Sequence, residues 1–278
     1  MELLSQKKAE APEQGKVVTA ENARGEQSMP LQGENPLIVA AEAGKKILEA
    51  GGETYRAEEM VVRLCRLWSC KDAECFATPT GIMASITGED GRSYGVVRRI
   101  SRRSVNLHKL GALIHLVERA EQEKLDEHLF LYFLHQLEIA QPYPLPVSLG
   151  AAGLSTFFFT LLFQGSLGDG LAAFLVGIGI KLVMIHLQKR NLPDFITHLV
   201  GGMVVALLSG ACFSLGLGKQ LDKIIIGSIM LLVPGLATVN AIRDTMAGDL
   251  VAGIARFADA IITAMAIAMG VLLVVVWG

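Results

Sequence analysis

Between Met230 and Asp259 the chain sets Pro234-Gly235 inside an apolar run and follows it with Asn240 and five charges: Arg243, Asp244, Asp249, Arg256 and Asp259. Proline has no N–H and crowds the carbonyl four residues earlier, so the Met230 oxygen is expected to lose its helical partner. An interrupted helix persists at membrane depth only where protein covers it or where it lines a wet cavity, and transporters place solutes at such breaks. Lys223 to Pro234 is about 16 Å of helix, roughly half of a ~30 Å hydrocarbon core. The side chains fit a path for a small charged solute. Arg243 or Arg256 attracts a carboxylate, Asp244, Asp249 or Asp259 carries a proton or binds an amine, and Asn240 offers a neutral amide. The plainer alternative is a kinked packing helix whose flanking charges snorkel or neutralise one another, with Asp259 pairing with Arg256 three residues before it. Asp249, Gly253, Arg256 and Ala260 recur at helical intervals, a stripe expected to run on through Ala264 and Ala268.

The elements that must position these groups follow from composition. Residues 141–278 hold seven Lys/Arg, six Asp and no Glu, out of 25 basic and 27 acidic residues in the whole chain. A polar half therefore precedes an apolar one. A net charge of −2 gives no electrostatic reason to expect nucleic acid. Five candidate crossings stand at Val147–Phe163, Gly170–Leu187, Phe195–Leu217, Lys223–Ala241 and Phe257–Trp277, each bounded by Gly, Pro or charge. Small residues four apart, Ala173 with Gly177 and Ala206 with Gly210, are expected where helices approach closely. No apolar segment precedes Leu37, so the polar half is expected in the cytosol, and an odd number of crossings then puts Gly278 outside a multi-pass cell membrane protein.

The polar half reads as a tail over 1–35 without periodicity, a small α+β domain over 36–141 and a Pro-rich linker over 142–146, ahead of the membrane domain over 147–278. Helical spacing runs from Asn35-Pro36 to Gly51-Gly52 and again after Thr54, a plausible N-cap. Ala73–Thr78, Ile82–Thr87 and Tyr94–Ile100 are β-prone and separated by turn sequences, which predicts a three-stranded meander flanked by helices, two more of them over 105–122 and 126–139. Cys65, Cys70 and Cys75 match no metal or redox spacing, and the histidine pairs seven apart cannot share one ion, so neither metal nor cofactor is expected. No nucleophile elbow, phosphate loop or zinc-protease motif appears, and an enzyme is not expected. The fold class is thus membrane α-helical, five transmembrane helices preceded by a small α+β cytosolic domain.

Three stretches, GGETYRAEE (51–59), VVRRISRRSVNLHKL (96–110) and LVPGLATVNAIRDTMAGDLVAGIARFADA (232–260), resemble the threonine/serine exporter family, specifically its N-terminal half. The resemblance covers about Asn35 to the C-terminus. It implies a secondary exporter of small carboxylate-bearing metabolites, threonine and serine or a dicarboxylate such as succinate, working with a second, smaller integral membrane subunit in an oligomer. By motif it points to Thr54, Arg56, Glu58, Pro234, Gly235, Arg243, Asp244, Gly248, Asp249, Gly253 and Arg256, with Thr54, Arg56 and Glu58 serving gating or contact between domains. Arg56 pairing locally with Glu53 or Glu59 is the structural alternative. A membrane-anchored sensor or assembly protein whose soluble domain does the work is the reading from another class.

Overall fold

The computed structural model describes residues 35–88, 91–101, 103–139, 143–190 and 192–277. Within them the chain is mostly helical, with one antiparallel sheet of three strands. The expected tail lies outside the described residues except for Asn35, whose side chain accepts the Leu37 N–H at 3.0 Å and opens α1 (Pro36–Glu49) with proline in its first turn. Helix α2 (Thr54–Leu67) follows, then β1 (Lys71–Thr78), β2 (Gly81–Thr87) and β3 (Ser93–Arg99), the expected meander in the order β1-β2-β3. Phe76 stands opposite Met83, and Met83 opposite Val97. Two-residue alternation sends Ala77, Ile82 and Ala84 into the core and leaves Phe76, Met83 and Val97 exposed on the other face. Helices α3 (Leu107–Glu123) and α4 (Glu127–Ile139) close this layer, and Phe130 and Leu134 join Leu37, Ile47 and Leu64 in one core.

Six helices remain: α5 (Leu145–Leu162), α6 (Leu167–Gln188), α7 (Asp194–Ser214), α8 (Leu221–Ile229), α9 (Gly235–Ala247) and α10 (Leu250–Trp277). Among the described residues four of them, α5, α6, α7 and α10, are long and apolar enough to cross a membrane. The expected crossing at Lys223–Ala241 is not one helix. Helix α8 stops at Ile229, residues 230–234 are non-helical, and α9 restarts directly after Pro234. At nine and thirteen residues, neither piece reaches across alone.

Two further expectations change. Helix α10 begins at Leu250 rather than at Phe257, so most of the charged connector is helical. Gly248, at φ +98°, ends α9, and the Asp249 carbonyl at once accepts the Gly253 N–H at 2.9 Å. The packed stripe of α10 also leaves the alanine ladder: Gly253, Arg256 and Ala260 are buried, Ala264 and Ala268 are exposed, and Ile267 and Gly270 carry the contact onward. Strict steps of four drift about 40° each on a helix of 3.6 residues per turn, whereas mixed steps of three and four hold one face.

Helix α5 packs on α6, α7 on α10, and α8 sits among α5, α6 and α7. The α7–α10 crossing is set by glycines: a Cβ on Gly202 would strike the Ile267 carbonyl, and one on Gly270 the Leu199 carbonyl. Of the expected small pairs, Gly177 lies against Ala152 and Thr156 of α5, while Gly210 has no neighbour within 4 Å. Asp169, wholly buried, accepts Ser166 N–H at 2.8 Å and, on its other oxygen, Lys219 and Gln220 N–H at 2.6 and 2.9 Å. From its place in the first turn of α6 it ties that helix to the start of α8, a contact that helical spacing alone does not reveal.

Candidate functional site

The first turn of any helix leaves backbone N–H groups without partners, and a carboxylate there answers both the missing acceptors and the helix dipole. Helix α2 lacks a local answer. Thr54 is its first residue rather than its N-cap, and the N-cap, Glu53, makes no capping bond. The acceptor arrives from 190 residues away: Asp244 on α9 accepts Thr54 N–H on Oδ1 and Thr54 Oγ1–H on Oδ2, both at 3.0 Å. Arg256 on α10 completes the cluster. Its Nε stands 2.8 Å from Asp244 Oδ2 as an ion pair whose N–H is out of line for a hydrogen bond, and its Nη2 donates to the Gly52 carbonyl at 2.8 Å. Thr54 and Asp244 are 0% exposed and Arg256 6%, so this charge pair is enclosed rather than solvated.

Around it lies a second ring, open to solvent only at Arg243 and Arg56. Arg243 Nη1 donates to Glu53 Oε1 at 2.7 Å, Arg56 Nε pairs with Glu53 Oε2 at 3.4 Å, and Asn240 Nδ2 donates to the Gly51 carbonyl at 2.9 Å. Asp259 pairs with Arg103 at 3.3 Å, not with Arg256, because Asp244 already holds Arg256. Glu58 turns away to accept the Ala77 N–H of β1 at 2.6 Å. Asp249 lies beside Asp244 with one buried oxygen, Oδ2, that has no partner among the described residues. Thus Asn240, Arg243, Asp244 and Arg256 meet Gly51–Thr54. Met230, Pro234 and Gly235 stay apart, fourteen, ten and nine residues before Asp244, with about 14 Å of α9 between Gly235 and Asp244. Gly253 sets the α9–α10 spacing, since a Cβ there would collide with the Thr245 hydroxyl and stand 3.0 Å from the Ala241 carbonyl.

The carbonyls of Gly51 and Gly52 are partners the sequence did not single out, and Glu53, which does pair locally with Arg56, also holds Arg243. Gly51-Gly52 read as a helix stop and Glu53 as a local partner for Arg56. The available signal was that the 51–59 and 232–260 motifs each mix carboxylates with arginine, but periodicity measures neighbours within an element and gives no contact between distant ones.

Titration at this junction has a definite sign. Burial, then the charges of Asp249 and Asp244, pushes the Glu58 carboxyl up from 4.5, and burial, then Asp244, pushes Asp249 up from 3.8. Glu53 moves the other way: burial opposes, but its backbone and Arg243 hydrogen bonds and the Arg56 charge prevail. Raised carboxyls bind protons more readily in the folded junction than apart from it. Their contribution is therefore least favourable above the raised values and improves as pH falls through them toward 4.5 and 3.8. Glu58→Gln keeps an acceptor for Ala77 and removes the charge. It is expected to raise the thermal midpoint at pH 7, with the gain over the unaltered chain shrinking as pH approaches 4.5; a gain that stays constant over that range would contradict the assignment.

Residues 38–277 match the threonine/serine exporter family, ThrE. The chain is 26% identical over 234 residues to a protein of Klebsiella aerogenes named "Probable succinate transporter subunit YjjP", a match covering 84% of this chain and 90% of the relative. The Escherichia coli protein of the same name is 26% identical over 241 residues, 85% of this chain and 93% of that one. A threonine/serine exporter of Corynebacterium glutamicum is 26% identical over 195 residues, which is 68% of this chain but 40% of that longer protein. No solved structure matches. With the family match running from the first turn of α1 to the end of α10, this chain belongs to the threonine/serine exporter family.

Proposed function

We propose that the chain is one subunit of a secondary membrane exporter for small carboxylate-bearing metabolites, succinate or threonine and serine, and that it works with a second small membrane subunit. The observation that carries this reading is the interruption of the α8–α9 stretch beside three helices long enough to span, since a broken apolar helix inside a bundle is the usual setting of a transport site. Relatives named as transporters and exporters support it. So does the word subunit in two of those names, which implies a partner for those proteins.

In this reading α8, the break and α9 make a fifth, discontinuous crossing, the α+β layer is cytosolic and Trp277 is near the outer face. Helix α10, with its 28 residues, is about 42 Å long and exceeds the ~30 Å core. Asp259 meets Arg103 of the soluble layer, which leaves Ala260–Trp277, about 27 Å, for the hydrocarbon. The α9–α10 hairpin then stands at the cytosolic boundary with Gly51–Thr54 docked upon it. Arg243 and Arg256 each already face a carboxylate of the chain, Glu53 and Asp244 respectively. An arriving substrate carboxylate exchanges with these, first at Arg243, whose side chain is 56% exposed, and so couples substrate entry to undocking.

The test is efflux of preloaded labelled succinate, serine and threonine from vesicles containing this chain with and without its second subunit. Efflux of at least one of them is expected only with both. Vesicles that retain all three, with both proteins correctly inserted, would remove the exporter reading and favour a membrane-anchored sensor.

A further inference from the structure

The outward face of the sheet carries an apolar row that nothing in the chain covers. Phe76, Met83 and Val97 stand side by side across β1, β2 and β3 and are 49%, 47% and 68% exposed. A cavity of about 810 Å³, open to solvent, lies over this row and is bordered by the small Ser85 and Gly95. Large apolar side chains set abreast in water mark a contact surface.

Charge marks two corners of the same face. Glu74 stands opposite Ser85 and Arg99 opposite Gly81, so the register puts both on the Met83 side of the sheet, at diagonal corners about 17 Å apart. Met83 is the midpoint of that diagonal. Both charged residues are exposed, and neither has an ion-pair partner among the described residues. Arg98, by contrast, turns to the core side and pairs with Glu42 at 3.6 Å.

Such a face is complementary to itself. In a two-fold pair residue i meets j and j meets i. An axis lying between two copies of the face, over Met83 and at right angles to the Glu74–Arg99 diagonal, sets Met83 against Met83 and brings Glu74 of each copy to Arg99 of the other. From strand spacing and rise, the strands then cross at about 70°, near the orthogonal class of sheet packing.

The placement of the sheet selects a second copy over lipid. Strand β1 touches α10, and at its free edge Glu58 accepts the Ala77 N–H at 2.6 Å, so the strands step away from the membrane domain in the order β1, β2, β3. On the membrane placement of the exporter reading, the outward face then stands upright on the bilayer. It cannot lie on headgroups, but it can meet a neighbour standing in the same membrane. The two-fold axis runs more across the strands than along them, as an axis normal to that membrane does.

We infer that the outward face of β1–β3 pairs with the same face of a second copy of this chain, Phe76, Met83 and Val97 forming the centre and two reciprocal Glu74–Arg99 bridges fixing the register. The inference rests on the membrane placement, not on export. The face measures roughly 14 by 17 Å, far below the ~800 Å² per partner of a stand-alone dimer. The bilayer must therefore supply the effective concentration.

The test uses the full chain in lipid vesicles. Met83→Cys is treated with a short bis-maleimide and run on a denaturing gel, with the unaltered chain as the control for its own cysteines. A product of twice the chain mass is expected from Met83→Cys alone. In that background Glu74→Arg and Arg99→Glu each set like charges against one another and should cut the product about threefold or more. Both changes in one chain should restore it. Mixing the two singly altered chains should restore it as well, because each supplies the charge the other needs. No product of twice the mass, single changes that cost nothing, or a double change as poor as the singles overturns the pairing. A chain that pairs in this way yet exports nothing beside its second subunit would sink the exporter reading and leave the contact standing.

Discussion

Arg256→Met is expected to destabilise the junction by about 3–5 kcal/mol, the cost of leaving a buried carboxylate without its counter-charge. Methionine fills similar space, so the loss is electrostatic and not a cavity. Asp244 would keep its two bonds from Thr54 but lose the guanidinium 2.8 Å away, while the Gly52 carbonyl would lose its donor. Hydrogen exchange at the Thr54 amide should accelerate, because Asp244 holds that amide across the junction, and efflux should fall with it. Asp244→Leu alone should be comparably harmful, since it leaves Arg256 buried and unpaired. The double variant should lose clearly less than the two single losses added, because the pair is removed together. Unchanged exchange at the Thr54 amide in Arg256→Met would mean that the ion pair does not hold the two layers together.

The second large effect is expected at the α7–α10 crossing. Gly202→Val and Gly270→Val drive side-chain carbons into the carbonyls of Ile267 and Leu199, and backbone cannot yield as a flexible side chain does. Overpacking costs about 1–3 kcal/mol where neighbours can shift, and here the helices themselves must separate, so little folded protein is expected on size-exclusion chromatography. Gly210→Ala, with no neighbour within 4 Å, and Ala268→Leu, on the exposed face, serve as controls and should elute as the unaltered chain does. If the controls fail as badly as Gly270→Val, helix propensity rather than close approach would be the cause.

Most of the secondary structure was legible because local physics dictates it. Asn35-Pro36 and Gly51-Gly52 bracket α1, the turn sequences around Gly81 and Gly91 separate the strands, and Pro234 interrupts α8–α9 where a missing N–H must. The start of α10 was misplaced because charge reads as connector, although Leu250, Ala252, Ala255 and Arg256 are good helix formers. The alanine ladder failed for a geometric reason, the drift of four-residue steps. Asp244 and Arg256 stood out by residue type, but their partner, the first turn of α2, did not. No periodicity shows that a helix starting with an uncapped Thr54 will take its acceptor from a membrane-side helix 190 residues on.

The docking of Gly51–Thr54 on the α9–α10 hairpin is tested most directly by a double-mutant cycle on efflux, using Glu53→Gln, Arg243→Gln and the pair together in vesicles that also hold the second subunit. The 2.7 Å bond between these side chains reaches solvent at Arg243 while Glu53 is buried, and Glu53→Gln keeps shape and an acceptor, so each variant should fold. If this contact gates transport, each single change alters the efflux rate and the double variant does no worse than the more affected single. Losses that simply multiply, or rates that match the unaltered chain at equal protein levels, would contradict a gating role for the junction.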